Sequence, residues 1–190
     1  MKTDNSNLES KLELRRYFLR KYPCSSVLDC CAGYGLIWSQ LRSEFQVEYT
    51  GMDTRDIPGI LKMDSKRYLA SGKWSADCVD IDTWGSPWGH LIETVKHMGE
   101  SCVVFLTNGI AVINGTGRLD KLLIEMFNMP KSIPMGIQVK LKSLSMDMIL
   151  GTLSRKFGIE IEEACESDRA HHARYVGLKL KRKESNVINL

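Results

Sequence analysis

A doubly wound α/β fold, its seven-stranded sheet mostly parallel with an antiparallel C-terminal strand, is predicted by three features of this 190-residue sequence. Short apolar runs alternate with amphipathic helical segments along most of the chain. Several of those runs end in an acidic residue and a turn, as strands do where a ligand sits at their carboxyl ends. Two closing strands, 159–165 and 173–181, have no helix between them and can therefore pair antiparallel.

The elements read in order as follows. Leu8 to Lys21 is an amphipathic helix, with Leu8, Leu12, Phe18 and Leu19 among its apolar members. A buried strand, Val27–Cys30, runs into Asp29-Cys30-Cys31-Ala32-Gly33-Tyr34-Gly35 and then a helix, Leu36–Phe45. Glycines 33 and 35 permit positive φ and close approach of a ligand, and the helix N-terminus offers free N–H groups. Such a turn closes over a nucleoside-like cofactor. The second strand, Val47–Met52, is followed by Asp53, in the place where such folds bind ribose hydroxyls. Two accepting carboxylate oxygens match two vicinal hydroxyl donors. A short third strand, Ile60–Met63, leads into Asp64-Ser65, which reads equally as a ligand contact and as a helix cap. A helix over Lys66–Gly72 follows, then a fourth strand at Asp77–Ile81, a helix at Trp88–Met98 and a fifth strand at Cys102–Thr107. Beyond these come helical segments at Leu119–Phe127 and Leu144–Phe157. Between them Met129–Gly136 is loop-like and basic, and Lys140 and Lys142 alternate with apolar residues as on a half-buried strand.

The spacing at the first turn separates two cofactor classes. A dinucleotide fingerprint needs a third glycine for close helix–strand packing, and Trp38 stands at that position. Asp29 is awkward beside a pyrophosphate but suits a ligand carrying an ammonium and a sulfonium. An acid preceding Gly33-x-Gly35 resembles motif I of the class I methyltransferases. The resemblance implies S-adenosylmethionine as cofactor, a Rossmann-like methyltransferase fold, and Asp64 facing the adenine amino group. Asp29, Cys31, Gly33, Gly35, Asp53 and Asp64 are the candidate cofactor-binding residues.

At the end of the fourth strand stands Asp80-Ile81-Asp82-Thr83-Trp84-Gly85-Ser86-Pro87. It resembles the Asp-x-Asp-Pro-Phe-Gly-Ser-Pro signature of the tRNA guanine N2-dimethyltransferases, with Thr83 replacing the first proline. The resemblance implies that Asp82 takes the place of the catalytic acid and Trp84 that of the phenylalanine beside the target base. Asp80 shares the side of Asp82 by the two-residue strand period and is a second candidate base. Its other reading is a supporting or capping role. Ser86 and Pro87 read as the cap and first residue of the following helix. A carboxylate accepting hydrogen bonds from a base amine makes that nitrogen more nucleophilic, and a tryptophan offers a face for an unstacked base.

The resemblance covers roughly residues 25–110. The further C-terminal domain and N-terminal tRNA-gripping elements of that family do not fit in 190 residues, so the chain reads as a core-only relative. It is expected to form one methyltransferase domain. Residues 1–23 supply an N-terminal helix, 24–107 the cofactor-binding and catalytic half, 108–183 a substrate-side half and 184–190 a tail.

Composition narrows the setting. No apolar run reaches the ~18 residues of a membrane span, and Met1–Asn7 lacks a signal-peptide core. The six cysteines form no Cys-x-x-Cys pair, which points to small buried hydrophobes in a reducing cytoplasm and to no metal site. His171-His172 reads as an exposed turn. A net charge of +3 is no nucleic-acid signature. Local clusters at Lys11, Arg15, Arg16, Arg20 and Lys21, and at Lys179, Lys181, Arg182 and Lys183, either track a phosphate backbone or form solvated faces. The expected partner is nucleic acid, tRNA favoured over DNA, with room for a partner subunit. Alternatives are an adenine amino-methyltransferase acting on DNA or RNA, and a non-catalytic module that binds nucleic acid or a partner. A dehydrogenase is disfavoured by Trp38 and Asp29.

Overall fold

Strands buried on both faces need no polar alternation, and the sequence Cys78–Ile81 has none. In the computed structural model this segment is a central strand, every residue of it buried. The structure describes residues 7–83, 85–109, 119–130, 132–167 and 173–183. Trp84, His171, His172 and the 184–190 tail lie outside them.

The elements run α1 (Leu8–Lys21), β1 (Ser26–Asp29), α2 (Leu36–Phe45), β2 (Glu48–Asp53), β3 (Leu61–Lys62), α3 (Ser65–Ala70) and β4 (Cys78–Ile81). They continue with α4 (Trp88–His97), β5 (Ser101–Gly109), α5 (Lys121–Met126), α6 (Met135–Phe157), β6 (Ile159–Glu166) and β7 (Ala173–Arg182). One seven-stranded sheet has the order β3-β2-β1-β4-β5-β7-β6. Strands β1 to β5 pair in parallel, while β7 is antiparallel to both β5 and β6. This is the expected doubly wound sheet with its closing hairpin. The chain winds outward from β1 to β3, returns, and winds the other way from β4. The carboxyl ends of β1 and β4 therefore flank the crevice where such sheets hold ligands.

Helices cover both faces. On one, α1 and α2 bury Leu12, Phe18, Trp38 and Leu41 against Val27, Val103 and Phe105. The Phe18 ring packs against Gly177 of β7, where any added Cβ would collide with it. On the other, α3, α4 and α6 bury Leu69, Trp88, Leu91, Ile149 and Leu153 against Val79, Val104 and Leu178.

One element departs from expectation. Residues 135–143, read as loop and half-buried strand, are the first turns of α6, so Lys140 and Lys142 are helical. The alternation Ile137-Gln138-Val139-Lys140-Leu141-Lys142 mimics a strand because no residue before Ser145 is fully buried to impose the helical period. Gln138 holds this end: its Nε2 donates to the Ile133 carbonyl at 2.7 Å, and its Oε1 accepts from the Leu119 N–H at 3.0 Å. Among the described residues no helix is long and apolar enough to cross a membrane.

Candidate active site at the carboxyl ends of the central strands

The turn after β1 is held by its own backbone. Ala32 N–H donates to the Met52 carbonyl at 2.9 Å, tying the turn to β2, and Gly35 N–H donates to Ala32 O at 2.8 Å. Gly33 (φ 53°) and Gly35 (φ 65°) both occupy the left-handed region that glycine adopts without strain. The Tyr49 ring lies over Gly51, where a Cβ would collide with its hydroxyl, and reaches on to the end of β1. There the hydroxyl donates to Asp29 Oδ2 at 3.1 Å, while the Cys31 N–H makes a long contact of 3.4 Å with Oδ1. Burial, and then the neighbouring Asp80, push the Asp29 carboxyl well above the ordinary carboxylate range. Burial likewise pushes the Cys31 thiol to about 12, so it is neutral at physiological pH.

Asp53 stands at the end of β2, facing the same turn. Its Oδ2 accepts the Gly33 N–H at 3.1 Å, and the Arg55 guanidinium grips both oxygens at 3.0 and 2.9 Å. The Arg55 hydrogen bonds hold this carboxyl below its ordinary value. Asp64 caps α3, its Oδ1 accepting the Arg67 N–H at 3.1 Å, which is the capping half of its expected reading. Exposed apolar side chains belong to this rim as well: Tyr34 from the turn, Leu61 from β3 and Met63 just after it.

Asp80 and Asp82 are bound from the far side of the sheet by α1. Arg15 donates Nε to Asp80 Oδ2 at 2.8 Å and Nη2 to Oδ1 at 2.7 Å, and Trp38 Nε1–H adds a third bond to Oδ2 at 2.7 Å. Lys11 Nζ lies 2.7 Å from Asp82 Oδ2. The match is geometric: four residues of helix rise about 6 Å, and two residues of strand about 6.6 Å. Lys11 and Arg15 thus face Asp82 and Asp80 as two rungs of one ladder. With both oxygens taken and 1% of its surface exposed, Asp80 is accounted for as the anchor of α1 rather than as a second base. Asp82 is half-buried. Burial works against its charge, but Lys11 and Arg15 outweigh that and bring its carboxyl below the ordinary value.

The turn after β4 is shaped by Gly85 (φ 108°), whose carbonyl accepts the Gly109 N–H at 3.2 Å and so joins the turn to the end of β5. Pro87, not Ser86, occupies the N-cap position of α4, and no side chain caps that helix. The hydroxyls of Thr83 and Ser86 are instead buried without a hydrogen-bond partner, which is rare enough to call for an explanation. Ser86 also lines a cavity of about 170 Å³, with Trp88, Asn108, Lys142 and Ser145 among its other walls. Asn108 is buried and donates Nδ2–H to Ser145 Oγ at 3.2 Å. Sequence reasoning did not single out Lys11, Tyr49 or Arg55 as site residues, and placed Asn108 only at the start of the substrate-side half. Only the i,i+4 spacing of Lys11 and Arg15 against the i,i+2 spacing of the two acids carries any signal for them.

Much of the basic clusters is paired within the fold. Besides Lys11 and Arg15, Arg16 pairs with Glu9, Glu13 and Glu44, and Lys21 with Glu163. Arg182 donates to the carbonyls of Val95, Lys96 and Met98 at the end of α4, Lys179 to Ser101 Oγ and Lys183 to Ser154 Oγ.

Comparison with known proteins follows the same lines. No family model matches the chain, and no curated protein is a significant sequence match. Solved structures do match. Trm1 from Pyrococcus horikoshii, in complex with S-adenosyl-L-methionine, superposes with a TM-score of 0.67 at 14% identity. That match covers 96% of this chain and 57% of the other, so the chain spans little more than half the length of that protein. M. jannaschii TYW2 in complex with AdoMet matches with a TM-score of 0.55 at 14% identity, over 96% of this chain and 78% of that one. The plantazolicin methyltransferase BpumL in complex with SAH matches with a TM-score of 0.54 at 11% identity, over 93% and 83%. These identities speak to architecture alone: with its 3-2-1-4-5-7-6 sheet, this chain has the Rossmann-like fold of the class I S-adenosylmethionine-dependent methyltransferases.

Proposed function

We propose that the chain is an S-adenosylmethionine-dependent methyltransferase acting on an exocyclic base amine of nucleic acid, with guanine N2 in tRNA as the first candidate. One observation carries the reading: Asp82, a half-buried carboxylate paired with Lys11, directly follows β4, the neighbour of the strand that leads into the Asp29–Gly35 turn. A methyl acceptor held by Asp82 would lie next to a donor held by that turn.

The residues of the turn fit the donor. Asp53 offers two acceptor oxygens to vicinal ribose hydroxyls, although Arg55 must share or release them. Asp29 can meet an ammonium, Asp64 keeps a second oxygen beyond its helix cap for an amino group, and Tyr34, Leu61 and Met63 offer apolar cover for a purine. Gly33 and Gly35 leave the backbone open to close approach, and the neutral Cys31 thiol adds no competing charge. When bound, the donor supplies an electrophilic sulfonium methyl.

The acceptor side supplies orientation and charge. A base amine is a weak nucleophile because its lone pair is delocalised into the ring. Accepting a hydrogen bond from its N–H, Asp82 localises that lone pair, and holding the nitrogen in line contributes several kcal/mol more. The nitrogen lone pair forms the new N–C bond as the S–C pair returns to sulfur. Trp84 is proposed as the face on which the unstacked base lies.

The test is transfer of labelled methyl from S-adenosylmethionine to tRNA, total RNA and DNA in parallel, with nucleoside analysis of the product. Asp82→Asn should cut single-turnover transfer by roughly 10²–10³-fold, as loss of one preorganised charge partner does, and leave donor affinity intact. Label in a DNA or RNA adenine would move the acceptor to the alternative reading. Wild-type rates in the Asn variant would end the assignment of Asp82, and failure to bind the donor at all would leave a non-catalytic module.

A further inference from the structure

Resting on that reading of Asp82, we propose that Lys11 of α1 is a positioning residue of the site: its ammonium fixes the carboxylate in place as a permanently charged hydrogen-bond acceptor. The geometry is specific. Lys11 Nζ sits 2.7 Å from Asp82 Oδ2 and 4.8 Å from the centre of the Tyr175 ring, with only 9% of the side chain exposed. A cation over an aromatic face, buried against a carboxylate, has little freedom to turn away. The helix that carries it is itself pinned. Arg15, one turn on, holds Asp80 with two bonds and donates Nη1–H to the Lys11 carbonyl at 2.9 Å.

The charges around Asp82 come from several elements. Lys11 and Arg15 face it from α1, Asp80 from β4, and Asp29 and Cys31 from β1 and its turn. Two cations thus serve three acids. Burial raises the Asp29 carboxyl, while Lys11 and Arg15 hold that of Asp82 below its ordinary value. Asp82 therefore stays ionised through the neutral range and is a poor proton store. After methyl transfer the proton leaving the acceptor nitrogen passes to water, and Asp82 acts by orientation and charge.

The experiment compares Lys11→Met, which keeps the stem and removes the charge, with Lys11→Arg, which keeps the charge. Two readouts are taken: the ¹³C titration of the Asp82 carboxyl without substrates, and the pH profile of single-turnover methyl transfer. The wild type should titrate Asp82 below the ordinary carboxylate range and transfer methyl at a constant rate from about pH 5 to pH 8. In Lys11→Met the titration should move up and the rate at about pH 5 should fall roughly tenfold, the effect of one pH unit on a single titration. Lys11→Arg should restore both. An unmoved Asp82 titration in Lys11→Met, or a rate loss equal at every pH, would overturn the proposal. If Lys11→Met does not fold, a wild-type Asp82 titrating at or above the ordinary range overturns it equally. Should no base accept methyl while the titration moves as described, the positioning role stands and the proposed reaction falls.

Discussion

The proposed donor side of this rim is built mainly from backbone, and the proposed acceptor side from ions. Around the turn after β1, Ala32, Gly33 and Gly35 make their bonds to main chain or to Asp53, within about twenty residues along the chain. At the end of β4 the partners come from far away: Arg15 reaches across 65 positions to Asp80, and Lys11 across 71 to Asp82. A turn made of backbone can form early and tolerates changes elsewhere. A carboxylate held by another helix is right only when that helix has docked. The donor half should therefore survive insults to α1, and the acceptor half should not.

The largest effect should come from cutting the ladder. Asp80 and Arg15 each keep only 2% of their side-chain surface exposed, so removing one leaves the other buried and uncompensated. Arg15→Leu should cost about 3–5 kcal/mol in urea unfolding, in the range measured for broken buried pairs. Arg15→Leu combined with Asp80→Leu should recover part of that loss, since two apolar side chains leave no orphan charge. A single-variant cost under about 1 kcal/mol would mean that apolar packing of Phe18 and Leu12, not the ladder, docks α1 and sets the acceptor side.

A smaller effect is expected on the donor side. Asp53→Ala removes an acceptor of charge-assisted bonds, each worth about 1.5–3 kcal/mol, so calorimetry should show donor affinity falling roughly 10–100-fold. Arg55→Ala should change affinity far less, because its exposed guanidinium now occupies oxygens that the ribose is to use. Should Arg55→Ala weaken binding as much as Asp53→Ala, the guanidinium is the ligand-binding group. The donor side would then suit a phosphate-bearing nucleotide better.

The same contrast explains what could be read beforehand. Strands and helices up to β5 were legible because apolar runs, acids at strand ends and glycine turns are local signals; α1 and α2 fall at their expected limits. The glycine turn after β1 was legible for the same reason. Asp80 was ambiguous, since the two-residue period puts it beside Asp82 but cannot reveal Arg15 and Trp38 waiting for it. Basic residues looked available because sequence shows a charge without its partner. The first turns of α6 were missed because their burial comes late, at Ser145, Met146 and Ile149. Ser86 was expected to cap α4, yet Pro87 takes that position and leaves the hydroxyl to the cavity.

The finest test of the contrast is Asp29, the one acid that touches both sides. Its oxygens meet Tyr49 and the donor turn, while its charge is felt by Asp80, Asp82 and Arg15. Because its folded value is raised, the ionised form is disfavoured in the native state. The wild type is then most stable below the ordinary carboxylate range and loses that advantage as pH climbs through the folded value. Asp29→Asn keeps an acceptor for the Tyr49 hydroxyl and removes the titration. The variant should have a flatter stability curve, at least matching the wild type at neutral pH and losing its relative advantage towards pH 4. Donor binding should behave oppositely. An arriving ammonium favours the Asp29 carboxylate, so binding to the wild type should release a proton, seen as a calorimetric enthalpy that depends on the buffer's ionisation heat. In Asp29→Asn that dependence should vanish and affinity should fall. If the stability curves run parallel and the buffer makes no difference, Asp29 is already ionised, and the two cations of α1 serve the donor side as well as the acceptor side.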